Sequence, residues 1–181
     1  MEDSAANLDE ITARLVAEPM PPAEVQTGAP AVAGLYAWWA PPTVLPALVG
    51  PMHPRLPDLR LLYVGIATRL RSRLASNHLR RSGSSTLRRT LAGLLLDDEH
   101  LHTRWTDRVV LVDADEIRLT EWMSANLRVS WCEHEAPRDV EAAIIRLLRP
   151  PLNVEHATGP GVDLIKAARR RYYQSAGGCP T

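Results

Sequence analysis

The sequence predicts an α/β (α+β) domain in which a small sheet carries helices packed on it. Three observations predict it. Short apolar runs of strand length recur at Ala31–Trp39, Leu61–Gly65, Arg108–Asp113 and Leu127–Cys132. Segments with apolar residues at helical spacing lie around them, and the two kinds do not follow a regular βαβ alternation. The length, 181 residues, suits a single domain, 1–181, with modest elaborations.

Leu8, Ile11 and Leu15 recur at helical spacing and the segment stops at Glu18-Pro19, so a short amphipathic helix opens the chain. Ten of the 15 prolines fall between Pro19 and Pro57, in two clusters that isolate AVAGLYAWWA as a strand between rigid loops. LLYVG forms a second strand, ended by Gly65. A polar helix over Arg69–Arg81 turns Leu70 and Leu74 inward, and Ser82 to Ser85 break it. Thr86–Leu96 reads as a further helix, RVVLVD as a short strand and Leu119–Ala125 as a helical turn. Leu127, Val129 and Trp131 alternate with polar neighbours, as in a half-buried strand. Pro137 suits the first position of a helix that runs to Arg149, where Pro150-Pro151 forbids continuation. A basic helix, Val162–Tyr173, follows.

Composition excludes several classes. No apolar run approaches the ~20 residues of a membrane span. The acidic start MEDSAANLDE lacks the pattern of a secretory signal, which predicts a cytoplasmic protein without a membrane partner. Cys132 and Cys179 supply neither a disulfide framework nor a CxxC metal pair. Lys+Arg and Asp+Glu balance at 21 each, but 20 of the 21 basic residues are arginine. Eight of those (Arg60, Arg69, Arg71, Arg73, Arg80, Arg81, Arg88 and Arg89) fall between Leu59 and Leu96 without one acid. A guanidinium's planar fork suits phosphate oxygens, although a solvated face has the same composition.

Glu141 is the most informative position. On a helix, Val140, Ile144, Leu147 and Leu148 share one arc that Ile145 extends, and Glu141 falls inside it. A carboxylate on an apolar side costs several kcal/mol unless a cation, a metal or a cleft receives it. A structural salt bridge to an arginine and a metal site both satisfy that demand. Arg69, Arg73, Asn77 and Arg80 form one polar stripe on the preceding basic helix, either a phosphate-facing surface or a solvated face.

Taken in order, Gly34-Leu35-Tyr36, Tyr63-Val64-Gly65, Arg73, Glu141 and Asn153 resemble the GIY-YIG nuclease superfamily. YVGIATRLRSRL is similar to the family's YVGxxxxLxxRL stretch, and EAAIIRLLRPPLN to its E-x2-LI-x4-P-x2-N ending. The resemblance covers roughly Gly34 to Asn153. It divides the chain into an N-terminal helix and Pro-rich loop (1–30), a GIY-YIG-like catalytic core (31–156) and a basic C-terminal helix and tail (157–181). Several members carry a histidine four residues after the arginine, where this chain has Asn77; on an α-helix His78 is rotated about 100° off that face, which argues against a proton-transfer role.

The resemblance implies a three-stranded mixed sheet flanked by helices, with the two tyrosines on adjacent strands at a basic cleft. It implies a metal-dependent endonuclease that hydrolyses phosphodiester bonds in DNA, with RNA not excluded. Glu141 would hold one Mg²⁺ or Mn²⁺ ion, Arg73 would stabilise charge on the phosphate, and Tyr36 or Tyr63 would activate water. Asn153 would brace the cleft. Arg69 and Arg80 would bind flanking phosphates, with Arg81, Arg88 and Arg89 as further nucleic-acid contacts. The alternative is a non-catalytic nucleic-acid-binding module that keeps the fold. Double-strand cleavage would call for a homodimer, for which the sequence carries no readable interface. The five tryptophans read as core, and His100, His102 and His134 lack a second pair of metal ligands.

Overall fold

In the computed structural model, which describes residues 2–155 and 161–177, the fold is α+β, a three-stranded sheet with helices on both faces. The strands are β1 (Gly34–Ala40), β2 (Arg60–Ala67) and β5 (Arg128–Glu133), in the order β2-β1-β5. The pairing corrects the expected mixed sheet, because both neighbours of β1 run antiparallel to it. The Pro-rich segment folds β2 back beside β1, and β5 enters from the opposite edge, so no two parallel strands become adjacent. A separate hairpin pairs β3 (Thr103–Trp105) with β4 (Val109–Leu111). Only its second strand is legible in sequence, since TRW is too short to show a period.

The strand expected from Ala31 begins at Gly34, and the turn expected over Leu119–Ala125 is part of a full helix, α4 (Asp113–Asn126). Three acids in its first turn favour that start. The other helices are α1 (Glu2–Leu15), α2 (Ser72–His78, with helical turns on either side), α3 (Thr86–Leu95), α5 (Pro137–Leu148) and α6 (Gly161–Gln174). Cys179 and the seam expected at residues 156/157 lie outside the described residues. None of the described helices is long and apolar enough to cross a membrane.

Strand alternation splits the core in two. One sheet face carries Leu35, Ala37, Trp39 and Val64 against Ile11 and Leu15 of α1 and Ile144 and Ile145 of α5. The other carries Tyr36 and Trp38, packed with Leu70 and Leu74 and with α3, α4 and α6. Tyr36 lies opposite Gly65 and Tyr63 opposite Trp38, so both tyrosines stand on that second face. Trp38 and Trp39 are buried core, as expected, while Trp105, Trp122 and Trp131 are only partly buried.

Candidate active site

Register brings the tyrosines together. Their ring centroids lie 6.2 Å apart, tilted by 40°. Gly65 makes the arrangement possible: a Cβ there would come within 2.5 Å of the Tyr36 hydroxyl and 2.8 Å of the Tyr63 ring. Any side chain at this position would push one phenol out of place.

Arg73 reaches the cluster from α2. Its Nε–H donates to the Tyr36 hydroxyl at 3.3 Å and its Nη1–H to the carbonyl of Ser84 at 3.1 Å. Burial disfavours its charge, but Tyr36 and Tyr63 outweigh that and hold its pKa above the usual guanidinium value. Arg73 is thus a fixed cation at all relevant pH.

His78 is the residue that sequence reasoning missed. Its Nε2 lies 2.6 Å from the Tyr36 hydroxyl and its Nδ1 2.6 Å from Ser85 Oγ, and the ring is wholly buried. The cause is the winding of Ser72–His78, which is a π-helix. Its i→i+5 closure stacks residues five apart, Arg73 and His78, which an α-helix would separate. The same winding breaks the expected stripe. Arg69, Arg73 and Asn77 line one cleft, whereas Arg80 lines another groove with Glu116 and Thr120. Nothing in the local residues announces a π-turn; the arginine–histidine spacing of five was the available signal.

The Tyr36 hydroxyl thus accepts from Arg73 and shares a hydrogen with His78 Nε2, while His78 Nδ1 shares one with Ser85 Oγ. Burial first, and the charges of Arg73 and Arg88 second, depress His78 well below its ordinary pKa. Folding therefore favours the neutral ring. Below pH ~6.5 the unfolded chain takes up a proton that the folded chain does not, so stability falls with acidification by up to about 1.4 kcal/mol per pH unit. Urea unfolding of the wild type between pH 5 and 7.5 is expected to show that slope, and His78→Gln to remove it; equal slopes would place the titration elsewhere.

Tyr36 is fully buried, and burial, reinforced by Tyr63, pushes its phenol far above the usual range. Tyr63 keeps a partly exposed ring. Its pKa is raised by burial and by Glu141, while Arg73, the Tyr36 hydroxyl and Arg169 pull it down.

Glu141 is half-buried on α5, as its place among apolar residues required. Ile144 and Ile145 are buried beside it, but Leu147 corrects the expected arc, being 54% exposed. Although α5 covers the opposite face, the Glu141 charge still acts on the Tyr63 phenol. β2 is an edge strand, so no further strand separates them on that side. Asn153 clips that edge: its Nδ2–H donates to Val64 O at 2.7 Å, and its Oδ1 accepts from Val64 N–H at 2.9 Å. The amide mimics a strand between Tyr63 and Gly65 and is spent on bracing.

Beside these groups opens a cleft of about 580 Å³, lined by Arg69, Ser72, Arg73 and Asn77 on one side and by the start of α5, including Arg138 and Asp139, on the other. Arginine donors facing a helix N-terminus suit an anion. The remaining arginines divide. Arg81 is exposed, and Arg89, half-buried, donates to the carbonyls of Ser82 and Gly83. Arg88 cannot contact nucleic acid, which corrects that expectation. It is wholly buried, paired with Glu116 at 2.8 Å and bonded to Thr120 and the carbonyl of His78. A period of 3.6 puts Arg88 on the inner side of α3, beside Leu87 and Leu91, where only an internal acid could hold it.

Among the described residues no three His, Cys, Asp or Glu side chains gather as a metal cage. The donors present fit a different kind of ion, one held by a single carboxylate with water and substrate oxygens completing its shell. Neither the curated proteins nor the solved structures contain a match to the chain. Residues 34–168 match the family model of the GIY-YIG catalytic domain. That segment spans both tyrosines, Arg73, Glu141 and Asn153, and with the α+β sheet that presents them it makes this chain a member of the GIY-YIG nuclease superfamily.

Proposed function

We propose that the protein is a divalent-metal-dependent endonuclease that hydrolyses phosphodiester bonds in DNA. The observation that supports the reading most is a permanently charged arginine that bonds one of two adjacent phenols and lines an arginine-bearing cleft, with the Glu141 charge acting on the second phenol.

Phosphodiester hydrolysis needs an activated water, a stabiliser for charge on phosphorus and help for the leaving 3′ oxygen, which a bound metal would supply. Arg73 stabilises the charge, its guanidinium fixed by Tyr36 and Ser84. Tyr36 is a positioning residue: wholly buried, it accepts from Arg73 and lies against a histidine that burial keeps neutral. Tyr63, only partly buried and with Arg73 and Arg169 offsetting part of the rise in pKa that burial imposes, is the phenol that meets water. Glu141 holds the divalent ion, Mg²⁺ or Mn²⁺, which supplies Lewis-acid charge at the scissile phosphate when bound. Arg69 extends the phosphate-binding surface along the cleft, and the exposed Arg80 and Arg81 extend it beyond.

The direct test is incubation of supercoiled plasmid with the purified protein. Relaxed or linear product is expected with Mg²⁺ or Mn²⁺ and none with EDTA. Binding without EDTA-sensitive cleavage would instead identify a nucleic-acid-binding module.

A further inference from the structure

A further arginine, one residue beyond the segment that matches the family, lies on the helix that packs on the sheet face carrying Tyr63. Arg169 belongs to α6, which is seated on α3 so closely that a Cβ on Gly93 would come within 2.2 Å of the Ala168 carbonyl oxygen. The next residue is therefore held at a fixed height beside Thr90. Arg169 Nε–H donates to Thr90 Oγ1 at 2.9 Å, and Thr90, 1% exposed, donates onward to the Thr86 carbonyl at 2.9 Å.

That anchor uses one of the five guanidinium N–H groups. Among the described residues, no hydrogen bond or ion pair takes up Nη1 or Nη2. Glu155 is near enough to favour the charge yet forms no ion pair with it. Ile165 and Tyr172, on α6 before and after Arg169, belong to the apolar cluster in which Tyr36 sits and against which Tyr63 packs. The Arg169 charge acts on the Tyr63 phenol and is opposed by Arg89. A half-buried guanidinium whose outer donors stay open to solvent, beside a second arginine, is placed to receive an anion.

We propose that Arg169 is a second phosphate-binding residue of the site, its two Nη groups taking non-bridging oxygens of the DNA strand beside Tyr63. The inference rests on the nuclease reading and extends the site beyond the family's landmarks. The Thr90 anchor leaves the outer edge of the fork for bidentate contact, the geometry in which arginine surpasses lysine.

The test is the salt dependence of affinity for a short duplex, by fluorescence anisotropy in EDTA so that no cleavage intervenes. Arg169→Gln removes the charge and keeps an amide donor for Thr90. It is expected to raise Kd about tenfold and to lower the slope of log K against log salt by about 0.9, the release of one counterion. Arg169→Lys is expected to keep the wild-type slope. An Arg169→Gln slope equal to wild type, whatever its Kd or melting temperature, overturns the proposal and makes Arg169 a packing residue. Absence of salt-dependent binding by the wild type itself would instead overturn the nuclease reading on which it rests.

Discussion

Glu141→Gln is expected to abolish cleavage, by at least about 10³-fold in kcat, while leaving the melting temperature and DNA affinity near wild type. The substitution keeps the side-chain volume, so the packing of Ile144 and Ile145 against the sheet is undisturbed. What it removes is the negative charge. A metal at the scissile phosphate supplies several kcal/mol of transition-state stabilisation, and each 1.36 kcal/mol is a factor of ten in rate. The direction of the Tyr63 shift makes the experiment discriminating. Glu141 raises the Tyr63 pKa, so its neutralisation makes that phenol easier to ionise. If the carboxylate acted only through Tyr63, Glu141→Gln would accelerate cleavage at neutral pH. Single-turnover nicking of plasmid over a Mg²⁺ titration separates the cases: loss at every Mg²⁺ concentration supports metal binding, and a rate within tenfold of wild type would reduce Glu141 to a structural charge.

Much of this site was legible because it depends on periodicity and register, which the sequence carries directly. Glu141 betrayed itself by interrupting an apolar arc, and its half-burial follows from that position. The two tyrosines lie in short apolar runs whose alternation puts them on one face once the strands pair. What was not legible depends on departures from ideal geometry or on partners remote in sequence. The π-turn of α2 cannot be read from SRLASNH, and it decides both that His78 meets Tyr36 and that Arg80 leaves the stripe of Arg69 and Arg73. Arg88 looked like part of a basic surface because its counterion, Glu116, lies 28 residues away on another helix. The mixed sheet that the resemblance implied is corrected because strand direction is set by long connections, the 19-residue segment from Pro41 to Leu59 and the helices before β5, whose path no local period fixes.

Tyr63→Phe is expected to lower kcat by about 10² to 10⁴, the range of a lost general base. Little stability should be lost, because the Tyr63 ring lies at the partly exposed rim and the phenylalanine ring keeps its packing. Tyr36→Phe behaves differently. It deprives His78 Nε2 and Arg73 Nε of their shared partner inside the protein, at a cost of about 1–3 kcal/mol for the groups left unpaired. Its activity loss then comes through a loosened Arg73, so added destabilisation accompanies it in thermal unfolding. The pH profile distinguishes the two phenols further. Tyr63 sits above its ordinary pKa, chiefly through burial, so only a small fraction is phenolate at neutral pH. The logarithm of the wild-type rate should therefore climb with pH at a slope near one from neutral into alkaline conditions. Tyr63→Phe is expected to flatten that climb, whereas Tyr36→Phe lowers the line and keeps its slope. A flat profile for Tyr36→Phe with a sloping one for Tyr63→Phe would transfer water activation to the buried tyrosine and make His78 its proton acceptor.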